Sequence, residues 1–271
     1  MVQGTVTIIT PVYNGLAYVE AAWQSLLAQT HTQWEWLVVD NASTDAGMER
    51  LRTLVCGDPR VRFLYEPLKG SGNARNAALP HIKGEVVAFL DIDDRLPAHS
   101  LSSRYAQLQA HPEWQVVDGT VRVMDADLQE TKRTWTPDFT GPVWPELLQL
   151  SDACFFGITW MFRREVLEDV RFSDTMTHCE DLLFCLSVGQ VNYGYTPDAV
   201  LDYRTGQGSL MRDLDGLEAG YRKVVRWVTT HPDTTSEQRA FFRGKVRSVM
   251  VKSWLKRGNI WSALRCAMRS W

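Results

Sequence analysis

The chain of 271 residues is long enough for one large domain or two small ones, and its 45% hydrophobic content is typical of a globular protein with a sizeable core. Five scattered cysteines without a Cys-x-x-Cys pair offer no zinc-ligand spacing and suit a reducing compartment. The first residues lack the basic flank and apolar stretch of a signal peptide, and no window approaches the roughly 18 apolar residues of a membrane-spanning helix. We therefore expect a soluble cytoplasmic protein.

The formal charge of −3 is unevenly distributed along the chain. Residues 239–271 contain nine basic and no acidic residues, which leaves 20 basic and 32 acidic residues, a balance of −12, for positions 1–238. Such an asymmetry indicates an anionic partner for the C-terminal segment.

Apolar and β-branched runs alternate with helical patterns in the first third of the chain. The runs predict strands, the first of which Pro11 ends, at 6–10, 34–40, 61–65 and 86–90. Apolar spacings of three and four predict helices at 16–27, from the turn 41–45 to about 55, and from 74 to about 82. Strand–helix units in sequence imply right-handed crossovers and a parallel sheet.

Three carboxylates follow the fourth predicted strand within four positions: Asp91, Asp93 and Asp94. They fall at the carboxyl end of the strand, where open α/β sheets place their ligand crevice. Close carboxylates raise one another's pKa unless a cation or donors compensate, and hard oxygen ligands of this kind suit Mg²⁺ or Mn²⁺. A solvated acidic loop or a helix N-cap at Asp94 is the simpler alternative, because short acidic motifs are common.

Other polar side chains fall on the same rim of the predicted sheet. Tyr13 and Asn14 follow the first strand, and Asp40 closes the second. Arg75 lies one turn inside a helix whose N-terminal amides, at 70–73, are free to bind an anion. An anion-binding helix end, an arginine and metal-binding carboxylates on one rim indicate a diphosphate ligand, although Arg75 by itself would more simply form a surface salt bridge.

The rest of the chain predicts a less regular succession of elements. Helices are expected at 101–110, 146–150, 163–167, 179–186 and from 217 onward, with breaks near 231–232 and 258–259. Strands are expected at 114–124, 128–135, 155–162 and 193–203, the first two forming a hairpin around 125–127. Glu180 and Asp181 occupy the first turn of a helix, where the helix dipole alone would also favour acidic residues.

Four segments together resemble the GT-A glycosyltransferases of family 2 in motif, order and spacing: 8–14, 38–45, 72–76 and 89–94. Glu180-Asp181 resembles the downstream acidic pair of that family, and the resemblance covers residues 5–205. It implies an α/β fold of the Rossmann-like GT-A type, with a mostly parallel central sheet and a helical C-terminal extension. The implied organisation is a catalytic domain at 1–212, divided into a nucleotide-sugar-binding half at 1–94 and an acceptor-binding half at 95–212, before a basic helical extension at 213–271.

The resemblance also implies roles for the residues that bind the donor, a nucleotide-sugar. Pro11 and Tyr13 would line the base, with Tyr13 packed against it. Asp40 would accept a hydrogen bond from the base, a role that favours uracil and hence a UDP-sugar. Arg75 would contact the diphosphate, and Asp91, the first carboxylate of the Asp-x-Asp motif, would lie near the ribose.

The remaining roles concern the metal and the proton. Asp93 would ligate Mn²⁺ or Mg²⁺, and Asp181, or as the second choice Glu180, would be the general base. Neighbouring helix positions differ by about 100°, so these two carboxylates cannot both aim at one atom. His178 can share a face with Asp181 and either orient that base or touch the metal, but a structural histidine is the simpler interpretation.

The reaction implied by the resemblance is direct displacement at the anomeric carbon, with inversion, in surface polysaccharide or glycolipid assembly. The acceptor would be a saccharide or a lipid-linked saccharide. The Gln-x-x-Arg-Trp motif of many processive members is missing from the sequence, which favours transfer of a single sugar.

Two other functions remain possible from the sequence. A sugar-nucleotide pyrophosphorylase also begins with a nucleotide-binding α/β half, but it usually has a glycine-rich run with a basic residue after the first strand, where this chain has 13–16, Tyr-Asn-Gly-Leu. A non-catalytic nucleotide-sugar-binding scaffold would have no use for a base at Asp181.

The basic C-terminal segment, 239–271, interleaves its charges with apolar residues. Val246, Val249, Met250 and Trp254 would form a helical stripe, and tryptophan favours the membrane interface. The segment therefore predicts contact with an anionic membrane surface, which would make the protein peripheral at the inner face of the membrane. Packing of the stripe on the catalytic domain is the equal alternative, and no nucleic-acid partner is expected.

Overall fold

The computed structural model describes residues 4–154, 157–206, 213–269 and 271. Nine strands in these residues form one sheet in the order β3-β2-β1-β4-β8-β5-β9-β7, with β6 paired to β5. The strands are Val6–Val12 (β1), Trp34–Asp40 (β2), Val61–Tyr65 (β3), Val86–Phe89 (β4), Val116–Met124 (β5), Glu130–Trp135 (β6), Gly141–Pro142 (β7), Met161–Arg163 (β8) and Asn192–Arg204 (β9).

The first four strands pair in parallel, as their alternation with helices predicts. β1 continues through Pro11 to Val12, two residues further than expected. The amide of Leu90 donates to Ile9 O, and that of Asn41 donates to Val12 O. The backbone N–H and C=O groups of residues 9 and 11 in β1 therefore point toward β4, and those of residue 12 point toward β2. Because β4 ends at Phe89, opposite Ile9, the missing amide of Pro11 leaves no ladder bond unmade.

The second half of the sheet is mixed. β8 runs antiparallel to β4 and β5, while β5 and β9 are parallel to each other. Residues 155 and 156 of the strand predicted at 155–162 lie outside the described residues, and the observed strand is only Met161–Arg163. Trp160 is nevertheless fully buried and packs on Phe162 and Tyr193. Burial of Trp160 in the core therefore does not require a place in a strand.

The helices in the described residues cover both faces of the sheet. They are Val19–Leu27 (α1), Gly47–Val55 (α2), Ser71–Ala78 (α3), Ser100–Ala110 (α4), Trp144–Gln149 (α5), Glu180–Val188 (α6), Leu214–Thr230 (α7), Ser236–Lys256 (α8) and Ile260–Met268 (α9), with short 3₁₀ turns at Leu79–His81 and Arg164–Leu167. Successive strand residues point to opposite faces, so Ile8 joins α1, α2 and α4 in one buried cluster, and Ile9 joins α3 and α5 to α9 in the other.

The third helix begins three residues earlier than predicted, at Ser71, and ends at Ala78. Pro80 explains the early end, because it has no amide to donate to the carbonyl of Asn76. The amide of Leu79 bonds to that carbonyl instead and starts the 3₁₀ turn. This start places Arg75 in the second turn of the helix, one turn after the amides at 70–73, as the sequence predicts.

The three C-terminal helices pack into the same buried cluster as α5 and α6. A capping box between Thr235 and Gln238 starts α8, and the Asn259 side chain caps α9, at the two breaks that the sequence predicts. Among the described residues no helix combines the length and apolar character required to cross a bilayer.

Candidate active site

The loops that follow β1 and β2 are tied together by side chains. Asn14 has a left-handed backbone, with φ of 53°, and its amide donates to Ser43 Oγ at 3.2 Å. The side-chain oxygen of Asn14 accepts in turn from the amide of Thr44 at 2.8 Å. The rim that the sequence predicts at these strand ends is therefore a defined structure rather than two independent loops.

A buried asparagine connects the end of β2 to the start of α3. The Asn41 amide group donates to the carbonyls of Glu66 and Leu68 at 3.0 and 2.7 Å, and its oxygen accepts from the amide of Gly70 at 2.7 Å. Asn41 is 3% exposed, so all three bonds lie largely out of water. They place the turn before α3 beside the end of β2.

Tyr13 and Asp40 lie on this rim, where the sequence places them. The Tyr13 ring is about half exposed, and its hydroxyl accepts from Lys69 Nζ at 2.8 Å. Asp40 Oδ1 accepts from the amide of Ser43 at 2.9 Å, and Pro11 pairs with Val39 near the end of β1. An exposed aromatic ring next to a partly exposed carboxylate is a surface on which a planar base can stack and bond.

Arg75 lies beneath the acidic turn and joins it to α6. Its Nη2 is 2.8 Å from Asp91 Oδ1, and its Nη1 is 3.0 Å from Asp181 Oδ1. Only 2% of the Arg75 side chain is exposed, and Phe172 lies 5.1 Å from its guanidinium carbon. Both terminal nitrogens of Arg75 thus bind partly exposed carboxylates, and its contact with a diphosphate stays a prediction.

The two acidic residues at the start of α6 have different partners. Glu180 is 8% exposed and accepts from Ser71 Oγ at 2.9 Å, whereas about a third of the Asp181 side chain is exposed. Burial raises the pKa of the Asp181 carboxyl to about 7; Arg75 opposes the rise, and the charges of Glu180 and Asp91 add to it. Asp181 therefore has the exposure and the pKa of a group that accepts a proton near neutral pH.

The three carboxylates of the acidic turn differ in how deeply they are buried. Asp94 is 4% exposed and accepts from the amide of Arg204 at 2.8 Å, while Arg204 Nε donates to the carbonyl of Asp93 at 2.7 Å. Burial, followed by the charges of Asp93 and Asp91, raises the pKa of the Asp94 carboxyl well above its ordinary value. Asp94 thus fastens the turn to the end of β9 and leaves Asp91 and Asp93 as the more exposed pair.

The donor set of this turn fits a divalent cation bound jointly with a ligand. The described residues include no group of three or more His, Cys, Asp or Glu side chains that could hold a cation, so they form no cage for one. Mg²⁺ commonly binds through one or two carboxylates plus substrate phosphates, which requires fewer protein ligands. Burial and the charge of Asp91 raise the pKa of the Asp93 carboxyl, and a cation would offset that repulsion.

His178 lies between α6 and α7 rather than in the acidic turn. Its ring is 3.0 Å from Thr177 Oγ1 and 3.6 Å from Asp213 Oδ2. A methyl group at Gly216 would approach the ring at 2.4 Å, so α7 packs directly against it. These contacts favour the structural interpretation of this histidine.

Three residues of the site have no counterpart among the predicted ones: Ser71, Phe172 and Arg204. Ser71 belongs to the glycine-rich turn, and its place at the helix start is the signal that could have identified it. Phe172 stacks on Phe184 with ring centroids 3.8 Å apart, and nothing in the local sequence distinguishes it from other core residues. A cavity of about 370 Å³ lies away from all of them, between α1 and the segment 95–98.

Comparisons of the sequence with known proteins find similar glycosyltransferases. The sequence model described as glycosyl transferase family 2 matches residues 7–171. The chain is 42% identical over 91 residues to the putative teichuronic acid biosynthesis glycosyltransferase TuaG of Bacillus subtilis, covering 33% of this chain and 36% of that protein. It is 38% identical over 104 residues to the Escherichia coli glucosyltransferase WfgD, covering 38% and 40%. The chain thus spans less than half the length of either relative.

Solved structures share the fold at low sequence identity. S. aureus TarS 1-349 in complex with UDP-GlcNAc superposes with a TM-score of 0.73 at 18% identity, over 96% of this chain and 79% of that one. The mannosyltransferase PcManGT of Pyrobaculum calidifontis, in complex with GDP-Man and Mn²⁺, gives 0.68 at 21% identity, over 100% and 77%. With the family model matching more than half of its residues, the chain belongs to glycosyltransferase family 2.

Proposed function

We propose that the chain transfers a sugar from a nucleotide-sugar to a saccharide or lipid-linked acceptor, with inversion at the anomeric carbon. The observation that carries the proposal is the contact of one buried guanidinium, that of Arg75, with both Asp91 and Asp181. This contact joins the acidic turn, which we assign to donor binding, to Asp181, which we assign as the acceptor of the proton. A protein that only binds a nucleotide-sugar would not need a carboxylate of raised pKa, such as Asp181, held in place by an arginine.

Asp181 is the general base of the proposed reaction. As the acceptor oxygen forms its bond to the anomeric carbon, the acceptor proton passes to the Asp181 carboxylate. The bond from the anomeric carbon to the diphosphate oxygen breaks, and its electron pair leaves with the nucleoside diphosphate. Attack opposite the leaving group inverts the configuration. Arg75 holds Asp181 in place and keeps its pKa from rising further.

The rim at Pro11, Tyr13 and Asp40 binds the nucleotide base, and we propose UDP as the carrier. WfgD is named as acting on UDP-Glc, and TarS is described in complex with UDP and with UDP-GlcNAc. PcManGT is described with GDP-Man, so the fold accommodates more than one base. The choice of uracil rests on Asp40, a small acceptor beside the half-exposed ring of Tyr13.

Asp93 would hold the proposed divalent cation, Mn²⁺ or Mg²⁺, and the diphosphate of the donor would share it. When bound, such a cation would supply positive charge to offset the negative charge on the leaving group. Support comes from the raised pKa of the Asp93 carboxyl and from PcManGT, which is described with Mn²⁺.

The proposed acceptor is supported by the names of two relatives, and the proposed location at a membrane is supported by the charge of the C-terminal segment. TuaG and WfgD are named for teichuronic acid and for a diphosphoundecaprenol-linked sugar, so we propose a saccharide or lipid-linked acceptor in surface polysaccharide assembly. A lipid-linked acceptor would bring the enzyme to the cytoplasmic face of a membrane, where residues 239–271, with nine basic and no acidic residues, meet anionic lipid.

A screen of UDP-, GDP- and dTDP-sugars tests the proposed donor. Each compound is added with and without Mn²⁺ or Mg²⁺, and both thermal stabilisation and slow hydrolysis are measured. We expect metal-dependent stabilisation by one or more UDP-sugars, since ligands that bind only the native state raise its apparent stability. Stabilisation by GDP- or dTDP-sugars alone would refute the uracil assignment, and no stabilisation by any of them would refute the donor site.

A further inference from the structure

One face of α9 exposes four large apolar side chains. Trp261 is 84% exposed, Met268 is 80% exposed and Ile260 is 60% exposed. Leu264 completes the face, because positions 260, 264 and 268 are four apart and align along a helix. The opposite side of α9 is buried through Ala263 and Cys266, so the helix is anchored to the protein by its small residues.

This surface differs from the apolar stripe that the sequence predicts on α8. Val246 and Met250 are fully buried and Trp254 is 7% exposed, and Trp254 Nε1 donates to Glu218 Oε2 at 3.1 Å. The α8 stripe therefore attaches the extension to the catalytic domain, as the packing alternative predicted. The apolar residues of α9 are left to meet solvent or a partner.

The charges around the α9 face are basic. Lys252 and Lys256 are exposed at the end of α8, beside the exposed Leu255, and neither belongs to an ion pair within the described part of the chain. Arg265 of α9 and Arg269, which follows it, lie 3.8 and 3.6 Å from carboxylate oxygens of α7 and are thus partly compensated. Lys252 and Lys256 therefore supply uncompensated positive charge on the helix that packs against α9.

We propose that the exposed face of α9 inserts into the headgroup region of an anionic lipid bilayer. Tryptophan and long apolar side chains next to lysines are the composition of helices that lie in a membrane interface. A second copy of the chain is a poorer occupant, because a two-fold interface would bring the same lysines of both copies together. The inference rests on the membrane contact proposed above and does not depend on the donor or the reaction.

Vesicle flotation of the full-length protein tests this proposal. Vesicles of phosphatidylcholine are compared with vesicles that also contain phosphatidylglycerol, and Trp261→Ser/Met268→Ser is compared with the native chain. We expect the native protein to float with anionic vesicles only, and the double variant to bind them roughly tenfold more weakly, since binding scales with the apolar area inserted. Phe241→Ser is the control, because Phe241 is likewise an exposed large apolar residue, at 52%, but lies in the second turn of α8 and outside the α9 face.

The outcomes separate the membrane proposal from the proposed function. Flotation of the double variant equal to that of the native protein, or no flotation of the native protein, overturns the proposal. Loss of an oligomer on gel filtration of the double variant would assign the face to a second copy and overturn it as well. Hydrolysis of a soluble UDP-sugar reports on the active site in the same samples, and we expect it to be unchanged in all three proteins.

Discussion

Arg75 is the residue on which the geometry of the site depends. It is buried, it contacts Asp91 and Asp181, and its own pKa is raised by those charges even though burial opposes the rise. The contact with Asp181 spans 106 positions of the sequence, and the one with Asp91 spans 16. The sequence identifies the three residues, but only the packing of α3 against α6 reveals that they meet.

Replacing Arg75 by Gln should move the pH dependence of transfer. The Arg75 charge lowers the pKa of Asp181 from where burial would place it, so its removal raises that pKa above the native value of about 7. A base must be deprotonated, so the acid limb of kcat/KM against pH shifts to higher pH in Arg75→Gln. Arg75→Lys keeps the charge and should leave the acid limb closer to its native position. An unchanged limb in Arg75→Gln would contradict the coupling.

Asp93→Ala tests the cation site of the acidic turn. Without this carboxylate, the protein loses the ligand proposed to share a cation with the diphosphate, and donor affinity should no longer respond to added Mn²⁺ or Mg²⁺. Calorimetric titration of UDP with and without metal measures the effect. Asp127→Ala, which removes an exposed carboxylate from the turn between β5 and β6, is the control. Metal-dependent binding that survives in Asp93→Ala would remove the assigned role.

At the scale of elements, the close approach of α7 to the start of α6 is a feature that the sequence does not predict. A methyl group at Gly220 would lie 2.5 Å from the carbonyl oxygen of His178, which directly precedes the αL residue Cys179 and the first turn of α6. Because the obstructing atom is backbone, the helix itself would have to move. The absence of a side chain at Gly220 therefore sets how close α7 lies to the start of α6, which carries Asp181.

Gly220→Ala should lower stability and activity together. Overpacking of this kind destabilises by about 1–3 kcal/mol, and displacement of α6 would misplace Asp181. Gly244→Ala is the matched control, since Gly244 also lies within a helix but nothing would contact the added methyl group within 4 Å. There the higher helix propensity of alanine should stabilise by about 0.5–1 kcal/mol. Equal urea midpoints for the two variants would contradict the packing argument.

The elements of the first half were more predictable than those of the second. β1 to β4 are parallel, and β1, β2 and β4 are largely buried, so these three appear in the sequence as apolar runs between turn residues. β3 is only partly buried. β7 and β8 have two and three residues, too few for any periodicity, and Trp160, directly before β8, is buried without belonging to a strand. The rim of the site was predictable from strand ends, and Ser71 from its place at a helix start. Phe172 and Arg204 were not, because they reach the site through contacts between distant segments of the chain.

At the scale of the whole molecule, the C-terminal helices are part of the hydrophobic core and also carry its most basic surface. α7 to α9 share a buried cluster with α5 and α6, and residues 239–271 combine nine basic residues with no acidic one. The charge asymmetry was visible in the sequence. Which apolar face is buried, that of α8 or that of α9, was not visible. Both helices alternate apolar and basic residues, and only packing distinguishes them.

Donor binding and proton transfer are assigned to separate residues of one site, so a mutation should be able to abolish proton transfer while donor binding remains. Asp181→Asn removes the proton acceptor but keeps a side chain of the same size that can still accept from Arg75. Nucleotide-sugar affinity should then remain near the native value while transfer falls by about 10²–10⁴-fold, the usual contribution of a general base.

Donor affinity and transfer rate, measured side by side in the native chain, Asp181→Asn and Glu180→Gln, decide whether Asp181 is the base. We expect native affinity in all three proteins, collapse of transfer in Asp181→Asn, and a much smaller loss in Glu180→Gln, whose carboxylate is buried against Ser71. Normal transfer by Asp181→Asn, with collapse in Glu180→Gln, would contradict the assignment and move the base by one residue.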